Sequence, residues 1–154
     1  MVRKLLFVGA VLGLLVGMSS VASAQAVTET ITFRNVTETF QDVNPCTGDP
    51  VTLTITYNGV FSYTVDPEGG LHVTGTVAGT FEAVPLDPTL PTYTGRFAQW
   101  FGESSSSNSD GDWVTFNIKG TGSDGSTLSL NAVLQFHFSN GVLRVEFEML
   151  NCQG

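Results

Sequence analysis

His72 and His137 are the two side chains of this 154-residue chain whose ordinary pKa lies near neutrality, and so the first candidates for acid–base chemistry. Each sits on the polar parity of an alternating stretch, among threonine or glutamine neighbours, and either could act as a general base. A hydrolytic triad also needs a nucleophile on a defined elbow, and no G-x-S-x-G occurs. The serines at 104–107 fall in a Ser-rich, acidic segment, 103–112, which reads as loop and poor ground for preorganised catalysis. Solvated surface histidine is the plainer reading, with a hydrolase or isomerase using His72 or His137 kept as an alternative.

Carboxylates supply the next candidates. Glu146 and Glu148 stand about 7 Å apart on one face of a strand, a pair that could divide acid and base roles in glycoside cleavage. The competing reading is the wet face of an outer strand. Asp110-Gly111-Asp112 and Asp124-Gly125 carry loop oxygens suited to calcium, yet neither fits the twelve-residue loop pattern, and Asp-Gly is ordinary turn chemistry. Gly120-Thr121-Gly122-Ser123-Asp124-Gly125 matches G-x-G-x-x-G letter for letter. That fingerprint works only where a strand opens into a helix, and here a strand pattern follows. No cofactor, metal or catalytic residue is therefore expected.

The aromatic residues offer the best opening. Tyr93, Phe97, Trp100, Phe101 and Trp113 bracket the Ser-rich segment, and Tyr93, Phe97, Trp100 and Trp113 are the candidate ligand contacts. Such residues at the mouth of a barrel could stack a sugar ring or line an apolar pocket. The bland alternative is that Phe97, Phe101 and their like are core.

The elements that must position these groups follow from a period of two. Leu128, Leu130, Ala132, Leu134, Phe136 and Phe138 alternate with polar residues broken only by Val133. Asn140-Gly141 then signals a hairpin into Leu143, Val145, Phe147 and Met149. Val114–Ile118, Val51–Tyr57, Phe61–Val65, Leu71–Val77 and Tyr93–Phe101 repeat the pattern, with turns expected at Asn58-Gly59, 66–70 and 123–125. Gly75 and Gly79 suggest a bulge or barrel corner. Ile31 and Phe33 share one parity, Val36 and Phe40 the other, and a bulge near Arg34-Asn35 would reconcile them. Pro85–Thr92, with three of the six prolines, must be loop. No stretch beyond the first 24 residues has a convincing helical repeat. The expectation is all-β, an antiparallel meander of about eight strands closed into a barrel, with a two-sheet sandwich as the alternative.

Location and partners are bounded by composition. Arg3 and Lys4, the apolar run Leu5–Met18 and Ala22-Ser23-Ala24 form a secretory leader over 1–24, leaving 25–154 as one domain. The run is too short to span a bilayer comfortably, and no membrane anchor is expected. The leader takes two of the six basic residues, so four remain against fourteen acidic ones. Such a surface repels phosphate backbones, which excludes nucleic acid as a partner; it also keeps a secreted barrel soluble. Cys46 and Cys152, an even pair in an exported protein, read as a disulfide.

The segment Asn44-Pro45-Cys46-Thr47-Gly48-Asp49-Pro50-Val51-Thr52-Leu53, with the ending Phe138-Ser139-Asn140-Gly141-Val142 to Cys152, resembles a group of small exported bacterial proteins. These open with a similar Pro-Cys-Thr/Asn-Gly segment before a Val-Thr-Leu strand. The resemblance covers the two cysteine-bearing ends, implies a shared disulfide framework and supplies no catalytic residue. The leading expectation is a secreted, non-catalytic barrel, extracellular or in the cell envelope, that binds a small apolar or carbohydrate ligand. A structural module docking an envelope protein is the alternative. The parity that faces inward decides between a polar lumen and a packed one.

Overall fold

The computed structural model describes residues 26–106, 109–139 and 142–153. The leader expected over 1–24 lies outside them, as does the Asn140-Gly141 turn. Seven strands run β1 (Val27–Val43), β2 (Pro50–Val65), β3 (Leu71–Pro85), β4 (Tyr93–Ser105), β5 (Ser109–Gly122), β6 (Thr127–Ser139) and β7 (Val142–Gln153). They form one antiparallel sheet in sequence order, each strand paired with its neighbours in the chain. The alternation of apolar and polar residues in each strand makes one face of this sheet insoluble, and the sheet buries that face by curling on itself.

The disulfide measures the curl. Cys46, in the loop between β1 and β2, bonds Cys152 near the end of β7, with 5.6 Å between the Cα atoms. In a flat sheet β2 and β7 would stand five strand spacings apart, about 24 Å. Asn44 builds the loop that presents Cys46: its side-chain oxygen accepts from the Cys46 amide at 3.0 Å, and its backbone pairs with Gly48 and Asp49. Val51, Ile55, Phe81, Ala83, Phe97 and Leu128 then meet as a buried cluster on the concave side at this end. Leu130 and Ala132, on the same face of β6 as Leu128, are also buried.

So tight a concave face has no room for a side chain at every position. A Cβ at Gly75 would collide with the Phe101 ring of the adjoining β4, and one at Gly120 with the Phe81 ring, which reaches over β4 from β3. At Gly79 and Gly95 a Cβ would meet the backbone of the next strand, which marks where neighbouring strands crowd most. Register is continuous through Gly75 and Gly79, so they are sites of close approach without a bulge.

The bulge in β1 stands where parity demands it, with a register shift between Phe33 and Val36 and Asn35 at φ 51°. Asn58 faces it, and its Oδ1 accepts from the Asn35 amide at 3.0 Å. That contact corrects the Asn58-Gly59 turn: β2 runs through it unbroken, and the expected eight strands are seven. The 103–112 segment is likewise strand up to Ser105 and from Ser109.

Neither the barrel nor the sandwich describes the architecture. Among the described residues there is one sheet, and β1 and β7 do not pair with each other. The edges themselves oppose closure. Glu29, Glu38 and Asp42 occupy concave positions of β1, opposite Tyr63, Ile55 and Val51. Register puts positions 146 and 148 of β7 opposite Phe136 and Leu134, again on the concave side. The β1 carboxylates on this face put charge at an unpaired edge, and inward-facing charge is a known way to blunt a strand edge.

Candidate functional site

Alternation distributes the four aromatic candidates between two faces. Tyr93 and Phe97 take concave positions: Phe97 is core and stacks on Phe116 with centroids 6.1 Å apart, while the Tyr93 hydroxyl lies 3.0 Å from Ser126 Oγ. Trp100 and Trp113 stand on the convex face, each about two-fifths exposed, at 43% and 41%. The four do not form one site; the two tryptophans are diagonal neighbours in the β4–β5 ladder. Trp113 pairs across the ladder with Gly102, two residues along β4 from Trp100. A Cβ at 102 would collide with the Trp113 indole, and Gly102 is buried beneath it. The indole thus rests on the backbone of β4 beside Trp100.

Polar groups border this platform. Thr76 and Thr74 of β3 face Trp100 and Gly102, and Thr115 of β5 faces Trp100 from the other side. Exposed Gln135 of β6 lies opposite Trp113. From Trp100 towards the disulfide end, the same face opens into a groove of about 790 Å³ whose floor includes Ala78, Ala98 and the backbone of Gly79 and Gly95. The small residues Ala78 and Ala98 form the low part of the groove, with the longer side chains of Arg96, Asn117 and Lys119 along its wall. Asn117, in its wall, is held by Nδ2 donating to Asn131 Oδ1 at 2.5 Å.

The histidines lie on β3 and β6 and do not meet. His72 joins a chain that sequence reading missed, because the serine was assigned to a loop. Ser104 Oγ lies 3.0 Å from His72 Nδ1, and His72 Nε2 lies 3.9 Å from Asp66 Oδ2. The histidine side chain is 57% exposed, and the other Asp66 oxygen accepts from the Gly70 amide. β4 is paired on both sides throughout, so its amides are committed to the ladders and none points out as an oxyanion donor.

Glu103 and Asp112 face each other across β4 and β5 on the concave side, away from the disulfide, with Asp110 next along the strand. Burial pushes the Glu103 carboxyl above its ordinary value, and the Asp112 and Asp110 charges add to it. Burial raises Asp112 too, helped by Asp110. Ser105 donates to Asp110 at 2.6 Å. Among the described residues no three His, Cys, Asp or Glu side chains group to hold a metal. Glu148 is exposed, and the side chain of Glu146 lies outside what is described. Gly120–Gly125 spans the end of β5 and its turn into β6, so the glycine fingerprint has no helix to open. Asp124 in that turn accepts from the Ser126 hydroxyl and amide, which hold its carboxyl below the ordinary range.

No family model, curated protein or solved structure matches this chain.

Proposed function

We propose that this is an exported, non-catalytic carbohydrate-binding protein that stacks sugar rings on Trp100 and Trp113. One observation carries the reading: two neighbouring, exposed indoles on a sheet face, one seated over a glycine. A pyranose has a face of C–H bonds and a rim of hydroxyls. An indole takes the first, and threonine, glutamine and asparagine side chains beside it take the second. The sheet supplies rigidity, which keeps the ordering cost of binding low. A small apolar ligand would need a dry lumen, whereas the concave side carries packed core at one end and the Glu103–Asp112 pair at the other. The disulfide is compatible with an oxidising location and supports export.

Affinity electrophoresis through soluble polysaccharides tests the reading. Retardation by at least one polymer is expected, and Trp100→Ala and Trp113→Ala should each weaken it by about 0.5–1.5 kcal/mol. No retardation by any polymer, or retention unchanged in both variants, would sink it. A hydrolase reading rests on the Ser104–His72–Asp66 chain alone. Equal ester turnover by Ser104→Ala and the native protein would end it.

A further inference from the structure

Arg96 and Lys119 stand directly opposite each other across β4 and β5, and both line the convex groove. They are two of only four basic residues beyond the leader, in a chain with fourteen acidic ones. Like charges opposite one another in a ladder are unfavourable, and a sequence so poor in cations has every opportunity to avoid the pairing. Among the described residues neither has a carboxylate within ion-pairing distance, although Glu82 stands diagonally across from Arg96, opposite Thr94. Thr80 and Thr94 surround Arg96, and Thr121 follows Lys119 in the groove wall. The pair is a local positive site on a predominantly acidic chain, open to solvent and bordered by hydroxyls.

Its position relative to the indoles gives it meaning. Arg96, Ala98, Trp100 and Gly102 are successive convex positions of β4, so the guanidinium, the small-residue floor and the stacking platform lie in one line. Four residues of strand set Arg96 about 14 Å from Trp100, longer than a single sugar ring. Asn117, fixed by Asn131, stands between the two ends. A ligand that used the whole track would be a chain, with a ring on the tryptophans and an anionic group beside the cations.

We infer that the ligand of the stacking platform is an acidic polysaccharide, whose chain follows β4 and β5 with a uronate carboxylate held between Arg96 and Lys119. The inference rests on the carbohydrate reading above and adds its charge. Arginine suits a carboxylate because its planar fork can donate two parallel hydrogen bonds, and lysine supplies a second, mobile charge. Nucleic acid, the other abundant polyanion, is disfavoured by the net charge of −8 over the full sequence, which repels a continuous phosphate backbone.

The test compares the disulfide-bonded protein with Arg96→Gln/Lys119→Gln and Trp100→Ala on three polymers: polygalacturonate, a neutral β-glucan, and polyglutamate as a polyanion without sugar rings. The native protein should bind polygalacturonate at least tenfold more tightly than either of the others, with affinity falling as salt rises. The double variant should lose that tenfold and keep its affinity for the neutral polymer, while Trp100→Ala should weaken both polysaccharides. Equal affinity for polygalacturonate and β-glucan, with the double variant silent, overturns the inference and leaves the stacking reading standing. Binding of polyglutamate as tight as that of polygalacturonate, indifferent to Trp100→Ala, overturns it as mere charge attraction. Failure of the native protein to bind any polysaccharide overturns both.

Discussion

A missing side chain at Gly102 is what allows the Trp113 indole to lie against β4 beside Trp100. Gly102→Ala puts a methyl group where the ring sits, so the indole must move. Such crowding costs about 1–3 kcal/mol, and binding to any polysaccharide should fall as far as it does in Trp113→Ala. Unaltered binding in Gly102→Ala would show that the ring position is immaterial. The tryptophans were legible in the sequence as candidates, but grouping them with Tyr93 and Phe97 ignored the period of two. Trp100 shares its parity with Arg96, whereas Tyr93, Phe97 and Phe101 share the other. What sequence could not give was the cross-strand register, which alone brings Trp113 over Gly102 and Lys119 beside Arg96.

The carboxylates of Glu103 and Asp112 are a second matter of single residues. Both are raised in the folded protein, chiefly by burial, so the fold favours their protonated forms. Stability from these groups is fully present below their unfolded pKa values and is lost as pH rises through the folded ones. Asp87 and Asp124 are lowered by hydrogen bonds from Thr89 and Ser126, so their contribution is present above the unfolded value and lost as pH falls through the folded one. The melting temperature should therefore rise as pH drops from 7 towards the upper end of the carboxylate range, then fall under stronger acid. Glu103→Gln should raise the melting temperature at pH 7 and reduce the gain on mild acidification. A gain of full size in that variant would contradict the assignment.

Among the elements, β1 and β7 show where pattern reading works and where it stops. The switch of parity between Phe33 and Val36 called for a bulge, and the bulge is there. The Asn58-Gly59 pair was read as a turn because both residues tolerate positive φ, but Asn58 is needed to bind the Asn35 amide across the ladder. Local chemistry is the same in both cases, and only the partner strand distinguishes them. In β7 the clean alternation of Leu143, Val145, Phe147 and Met149 suggested a strand of one parity. A register shift lies opposite His137 and Phe138, and beyond it Cys152 pairs with Leu130 on the concave side. The disulfide thereby fixes the parity of the whole segment, placing positions 145, 147 and 149 on the other face. Glycines test the crowding between strands directly. Gly79→Ala sets a Cβ against the Thr56–Tyr57 backbone, which cannot rotate away, so a loss of about 1–3 kcal/mol or more is expected by urea denaturation. A neutral result would mean that the strands are further apart than described.

At the scale of the whole molecule, the described strands form one sheet that has to bury its apolar face by curvature, and one covalent bond draws distant strands together. The loop closed by Cys46 and Cys152 spans 106 positions. Chain entropy alone assigns such a bond about 4.7 kcal/mol, and about 2–4 is typical. Cys46→Ser/Cys152→Ser should lose that amount in urea denaturation, against a total of about 5–15 kcal/mol for an ordinary domain. An unchanged midpoint would mean that the curl persists without the bond. Strand content, turn-rich connections and the cysteine pairing were all readable in the sequence. Closure was not, because it depends on what the two edge strands present to each other, and the concave carboxylates of β1 matter only once its face is known.

The curl also divides the labour of the two faces: the concave side holds the fold together, which leaves the convex side to meet a ligand. Backbone and indole NMR of the labelled protein, titrated in turn with neutral and uronate oligosaccharides, measures that division most directly. On this division of the faces, the Trp100 and Trp113 indole N–H signals shift, together with the convex residues of β4 and β5, while Tyr93 and Phe97 stay in place. Shifts centred on the concave residues, or none with either sugar, would contradict it.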